Sequence, residues 1–292
     1  MANARIMMSR RKFAEDMTSL GRGRGRGWAQ YDKDSLRKPG ESLCTKDTDY
    51  ANLIHIVNGI TAENLEQQVI KFTQLINNDN LVNISNKLHE HAVNNREFGP
   101  KLIALCHYPL LNKHHSDENL RKLLISKLQD QYERRIELRQ EYTVTQFCNT
   151  VSLFSCFLQH IHKHSNLQFL FYNKLNTALL DYMEMLLETA SEQEIKTFTE
   201  QIIIHGKYIF ENDKQKCNSF MIIPRQILIK ENLSPETREM LLYSIDLVTH
   251  NFNPLPQNLL TFYEQRLGTD FIQHKGSLRA IRGSGAADAA NE

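Results

Sequence analysis

The sequence predicts an all-α protein: an α-solenoid of about five HEAT-like helical hairpins, preceded by a disordered N-terminal tail. Apolar residues recur at helical spacing from residue 61 to residue 267, and no stretch alternates as a β-hairpin does. The hairpins begin near residues 61, 97, 143, 191 and 234, a repeat of about 36 to 48 residues that is typical of helical solenoids. A helical bundle or a single globular all-α domain would show the same stripes, so these alternatives stay open here.

The first hairpin contains two amphipathic helices. Thr61 is the predicted N-cap of the first helix, with Ile60 and Leu65 as its hydrophobic staple. Its apolar stripe consists of Leu65, Val69, Phe72 and Ile76. After an asparagine-rich break, a shorter stripe consists of Leu81, Ile84 and Leu88. We therefore expect the two helices to pack as an antiparallel pair.

Helix-start signals mark the later hairpins. Ser191 and Glu194 form a capping box, and Ser234 with Pro235 gives an N-cap followed by proline at the first helical position. Pro224 lies inside the apolar stretch "SFMIIPRQILIK", where it predicts a kinked helix. A last helix is expected to end before Gly268.

Composition divides the chain into three segments. Residues 1 to 48 form a basic, disordered tail, residues 49 to 268 the folded domain, and residues 269 to 292 a flexible C-terminal tail. The first forty residues carry a net charge of about +6, and the remainder carries about −5, so the total of +1 hides this contrast. Five scattered cysteines without a Cys-x-x-Cys pair indicate reduced thiols. With no secretory signal or membrane span in the sequence, we expect a cytoplasmic protein, with ribonucleoprotein granules as an alternative location.

Two stretches resemble a known family. They are "ENLRKLLISKLQDQYERR" at residues 118 to 135 and "LSPETREMLLYSIDLVTHNFNPLP" at residues 233 to 256. Both are similar to segments of the middle domain of eukaryotic translation initiation factor 4G. The likeness is greatest to its small stand-alone relatives, the group of the poly(A)-binding-protein-interacting protein and the partner of the histone stem-loop-binding protein. The residues that carry it best are Arg238, Leu241, Leu242, Ile245 and Leu247, before Pro254 and Pro256.

The resemblance covers residues 50 to 267 and implies five HEAT-like hairpins that serve as a scaffold without a catalytic centre. It implies as partners the initiation RNA helicase, other translation initiation factors, RNA-binding proteins or RNA. Some relatives self-associate, so a homodimer is a further expectation. The Leu-Asn and Phe-x-Pro elements with which some relatives bind the poly(A)-binding protein are missing, which argues against that partner.

The sequence predicts no enzyme, no cofactor and no metal site. Cys156, His160 and His164 share one helix face, but zinc would need a fourth ligand, and a buried cysteine with two helix-end histidines is the simpler interpretation. No Gly-rich phosphate-binding loop and no Gly-x-Ser-x-Gly nucleophile motif lies in the folded part.

The run "GRGRGRGW" supplies the candidate contact residues Arg22, Arg24, Arg26 and Trp28. Its guanidinium groups can fork onto phosphates and its tryptophan can stack on a base, so weak RNA binding is one interpretation. Such repeats also resemble arginine methyltransferase substrates, which Tudor-domain proteins of germ granules bind through aromatic cages. A solubilising, unstructured leader is the third interpretation.

Tyr31 and Leu36 match the spacing of peptides that bind the cap-binding protein of initiation. Arg37 stands where those peptides have a hydrophobic residue, so we interpret the match as a coincidence. The leading hypothesis from sequence is a non-enzymatic adaptor in mRNA translation or RNA metabolism. The alternative is a germ-granule component of a small-RNA pathway, recruited through methylated arginines.

Overall fold

Helices are the regular secondary structure of the described chain. The structure, a computed structural model, describes residues 44 to 109, 111, 119 to 164, 169 to 229 and 232 to 273. Within these ranges there is no β-strand, and the predicted all-α class is confirmed. No helix in these ranges combines the length and the apolar character needed to cross a bilayer.

The first half of the chain supplies six described helices. In chain order they are α1 (Cys44–Asn58), α2 (Leu65–Leu75), α3 (Asn78–Asn94), α4 (Phe98–Cys106), α5 (Leu120–Glu133) and α6 (Arg135–Glu141). Helix α1 thus begins four residues before the predicted end of the tail. The predicted stripe of α2 points inward, since Val69 and Phe72 are buried.

The second half contains the longest helices. In chain order the elements are α7 (Val144–His164), α8 (Phe169–Thr189), α9 (Glu192–Asn212), α10 (Lys214–Phe220), α11 (Ile222–Leu228), α12 (Pro235–Thr249), α13 (Gln257–Leu267) and α14 (Thr269–Ile272). The short α14 falls in the segment that the sequence assigned to the C-terminal tail.

Two of the predicted helix starts are confirmed and one is wrong. The Glu194 side chain accepts a hydrogen bond from the Ser191 backbone N–H at 2.9 Å, and Ser234 accepts one from the Thr237 N–H at 3.2 Å. Helix α2 begins at Leu65, with Asn64 rather than Thr61 in the N-cap position. The Asn64 side chain accepts a hydrogen bond from the Thr61 N–H at 2.8 Å and donates one to the Gly59 carbonyl, which holds residues 61 to 64 in a turn.

Pro224 acts on the helix differently from the predicted kink. The apolar stretch is divided at Met221 into α10 and α11, and Pro224 lies in the first turn of α11. A proline has no N–H, and its ring clashes with the carbonyl four residues earlier, here that of Phe220. A fresh helix start removes both problems, since the N–H groups of a first turn have no intrahelical partner.

Four helices contact one another in chain order. Helix α3 packs on α7, α7 packs on α9, and α9 packs on α12, while α8 lies against both α7 and α9. On the α5 side, the Tyr132 hydroxyl donates to Asp181 of α8 at 2.6 Å. Large buried side chains fill the interior of this array, among them Phe72, Phe98, Phe147, Tyr182 and Phe198. Each stabilises the fold by about 2 kcal/mol through removal of apolar surface from water.

Candidate docking groove

The residues proposed from sequence as contact sites lie outside the described part of the chain. They are Arg22, Arg24, Arg26 and Trp28 of the Arg-Gly run, and Tyr31 and Leu36 of the cap-binding pattern. Their roles stay predictions. The candidate site described below comes from the folded helices instead.

A groove of about 760 Å³ crosses the helix array. It runs from the junction of α3 and α4 over α7 to α9, and α14 forms one side. We call it the central groove. Its polar lining residues that matter here are Arg96, Glu97, Ser152, Glu200, Gln201 and Asp270.

An ion pair between Arg96 and Glu200 lies in the groove. The Glu200 side chain is only 8% exposed, whereas that of Arg96 is 38% exposed. Burial raises the pKa of Glu200, and the opposing attraction of Arg96 and Lys196 does not fully offset this. The carboxylate therefore remains short of stabilising partners when it is ionised.

Two polar atoms beside this pair lack hydrogen-bond partners among the described residues. The Gln201 amide nitrogen donates to the Thr197 carbonyl at 3.2 Å, but its Oε1 atom accepts nothing, although the residue is 1% exposed. The hydroxyl of Ser152, one helix over on α7, is likewise buried and unpaired. Buried polar groups without partners are uncommon in folded proteins and cost about 1 to 3 kcal/mol each.

Three exposed charged residues complete the lining: Glu97, Lys196 and Asp270. Together with the Arg96 and Glu200 pair, the groove therefore holds three carboxylates and two cations. One of these cations, Arg96, is already engaged with Glu200. The groove thus has an excess of hydrogen-bond acceptors over donors.

A serine of the groove lining contacts a buried histidine. Ser155 on α7 lies 2.9 Å from the Nε2 atom of His205 on α9. A serine beside a histidine is the chemistry of a nucleophile and its base, but Ser155 is 2% and His205 0% exposed. The pair forms a polar link between two packed helices, α7 and α9.

The histidines on α7 pack against rings of neighbouring elements. The rings of His107 and His160 have centroids 4.0 Å apart, and the His162 ring stacks on Tyr208 at 4.7 Å. In the described part of the chain, no group of three or more His, Cys, Asp or Glu side chains is arranged to hold a metal ion. The side chain of His164, the third residue of the sequence pattern, is not among those described.

Sequence reasoning did not single out Arg96, Glu200 or Gln201. The ion pair joins residues 104 positions apart, so no local pattern links them. One local feature could have indicated the site: the polar pair Glu200 and Gln201 interrupts the otherwise apolar face of α9. No known family model matches the chain, nor does any curated protein.

Proposed function

We propose that this protein is a non-enzymatic adaptor in mRNA translation or RNA metabolism. It holds protein partners on the surface of a HEAT-like solenoid. The expected partners are those that the resemblance to the initiation factor 4G middle domain implies: the initiation RNA helicase, other initiation factors or RNA-binding proteins. The proposal extends to a cytoplasmic location.

The helix contacts support the solenoid arrangement. A stack of hairpins places each repeat mainly against its neighbours, and α3, α7, α9 and α12 follow that order. A closed bundle would instead bring the first and last of these helices together around one core. The first hairpin differs from the predicted one: α2 packs on α1, and the predicted antiparallel packing of α2 on α3 is wrong, since α3 packs instead on α4 and α7.

The central groove is the observation that carries the adaptor role. It crosses three successive parts of the helix array and combines apolar lining residues with exposed charged residues, as a protein-docking surface does.

A binding titration tests this function directly. The full-length chain is titrated against the purified initiation RNA helicase and against reconstituted initiation-factor complexes, with sedimentation velocity as the readout. We expect a defined complex with at least one of them. A matched control is the chain lacking residues 1 to 43, which keeps all of α1 and should retain the complex because the helical domain carries the contact. Absence of any complex with the full-length chain would contradict the adaptor proposal.

The Arg-Gly run supports the second candidate, recruitment to germ granules through Tudor domains. Replacing Arg22, Arg24 and Arg26 by lysine keeps the charge but removes the group that is methylated and recognised. If this function holds, the triple variant loses granule localisation in germ cells while its helical domain stays folded. Unchanged localisation would exclude recruitment through methylated arginines.

A further inference from the structure

We propose that the central groove binds an arginine side chain presented by a partner protein. This inference rests on the adaptor function and names the chemistry of the partner segment.

The charge balance favours a cation. Of the five charged side chains in the lining, Arg96 and Glu200 pair with each other, and the two carboxylates Glu97 and Asp270 then exceed the one remaining cation, Lys196. The two exposed carboxylates, Glu97 and Asp270, belong to different elements of the lining, the start of α4 and the short helix α14. A positive group between them would gain attraction from both.

The buried acceptors favour a hydrogen-bonding cation. Gln201 Oε1 receives no hydrogen bond from any described residue, and burial raises the pKa of the adjacent Glu200 despite its pairing with Arg96. A donor that enters beside them satisfies the amide oxygen and stabilises the carboxylate together.

The geometry of the acceptors favours a guanidinium over an ammonium group. The acceptors belong to three separate elements: Glu97 at the start of α4, Glu200 and Gln201 on α9, and Asp270 on α14. A guanidinium has five N–H donors in a flat fork and is more weakly hydrated than an ammonium group. It can therefore meet several acceptors at once and enter a partly buried site at lower cost.

Methyl NMR with small probes tests the proposal on the full chain. The isoleucine methyl groups are labelled, and Nα-acetyl-arginine amide is titrated in. Ile204 lines the groove and should show a saturable shift, whereas Ile136, which is 65% exposed on α6, should not. The uncharged isostere Nα-acetyl-citrulline amide should cause no shift at Ile204, and Nα-acetyl-lysine amide should bind about fivefold more weakly or worse. Equal binding of either analogue would overturn the proposal.

Two variants locate the binding. Glu97→Gln combined with Asp270→Asn removes the exposed carboxylates and should weaken arginine amide binding about tenfold, since each exposed charge contributes about a threefold effect. The matched control, Asp79→Asn with Glu133→Gln, changes the net charge equally at exposed positions away from the groove and should leave the affinity unchanged. Equal weakening by both pairs would show general attraction to an acidic surface and overturn the groove assignment.

Gln201→Leu separates binding from folding. Leucine has a similar size but no acceptor, so it should weaken arginine amide while leaving the midpoint of thermal unfolding unchanged or higher. Full affinity in this variant would contradict the role of Gln201.

The two proposals can fail separately. If the chain forms initiation-factor complexes but shows no Ile204 shift, the adaptor function stands and the arginine-binding inference is wrong. If arginine amide binds but no initiation-factor complex forms, the groove binds arginine and the adaptor function is contradicted.

Discussion

Helix α9 carries two buried glutamates less than two turns apart, Glu194 and Glu200. Their surroundings shift their pKa values in opposite directions. Glu194 pairs with Arg139 and Glu200 pairs with Arg96. Burial alone would raise both pKa values. At Glu194, hydrogen bonds from Ser191 and Thr189 and the charge of Arg139 outweigh burial, and the pKa lies below the ordinary 4.5. At Glu200 burial prevails, and the pKa lies above it.

The difference lies in the number of donors at each carboxylate. Three hydrogen bonds reach Glu194 Oε2: from the Thr189 hydroxyl at 2.7 Å, the Ser191 backbone at 2.9 Å and the Ser191 hydroxyl at 2.6 Å. Arg139 occupies the other oxygen and also lies over the Phe147 ring at 4.7 Å. Through its ion pair with Arg139, Glu194 therefore links α6 to the start of α9. Glu200 has fewer hydrogen-bond donors and could accept another from a ligand in the central groove.

The largest effect is expected from Arg139→Ala. The change leaves Glu194, which is 0% exposed, without its only counter-charge among the described residues. Removing one partner of a buried pair typically costs 3 kcal/mol or more, and we expect a loss of about 3 kcal/mol in the free energy of unfolding. Urea denaturation at neutral pH measures it. A loss below about 1 kcal/mol would mean that the Arg139–Glu194 pair stabilises the fold no more than the Arg96–Glu200 pair does.

Glu194→Gln should cost less, about 2 kcal/mol at neutral pH, because the amide keeps the shape but loses charge-assisted hydrogen bonds. The folded-state pKa of Glu194 lies below its unfolded value, so the unfolded chain binds more protons in the window just under pH 4.5. The stability advantage of the parent chain over the variant should therefore be present above pH 4.5 and shrink as the pH falls below it. Denaturation curves from pH 3 to pH 7 test this sign.

Of the contacts that stabilise the Glu194 carboxylate, the sequence predicted the one with Ser191 and not the one with Arg139. Ser191 and Glu194 are three residues apart, and a capping box is a local pattern that depends only on helix geometry. Arg139 lies 55 positions away, and its contact follows from how α6 packs on the helix array. The same limit applies to the groove, where Arg96 and Gln201 meet only through tertiary packing.

Local rules failed where neighbouring residues competed for the same role. Thr61 and Asn64 can each cap a helix, and asparagine took the position because its side chain also satisfies the preceding turn. Pro224 required a helix interruption, but its place at Met221 depended on the packing of α10 and α11 against buried neighbours. The helical class was predictable because it depends on periodicity summed over many residues.

Arg96→Ala should have a smaller effect than Arg139→Ala, about 1 kcal/mol at neutral pH. The Arg96 side chain is 38% exposed, so solvent already screens its attraction for Glu200, and Glu200 can bind a proton when its partner is removed. Urea denaturation of both arginine variants under identical conditions checks this order. If Arg96→Ala lowers the free energy of unfolding as much as Arg139→Ala does, the two ion pairs contribute equally and the predicted contrast is wrong.

Glu200→Gln should have the smallest effect at neutral pH, within about 0.5 kcal/mol, since the ionised carboxylate is held against the cost of burial. The folded-state pKa of Glu200 lies above its unfolded value, so the folded chain binds more protons in the window just above pH 4.5. The parent chain should gain stability relative to the variant as the pH falls through this window, the reverse of the trend for Glu194→Gln. Denaturation of the two glutamine variants side by side measures both slopes, and slopes of the same sign would contradict the contrast between the two carboxylates.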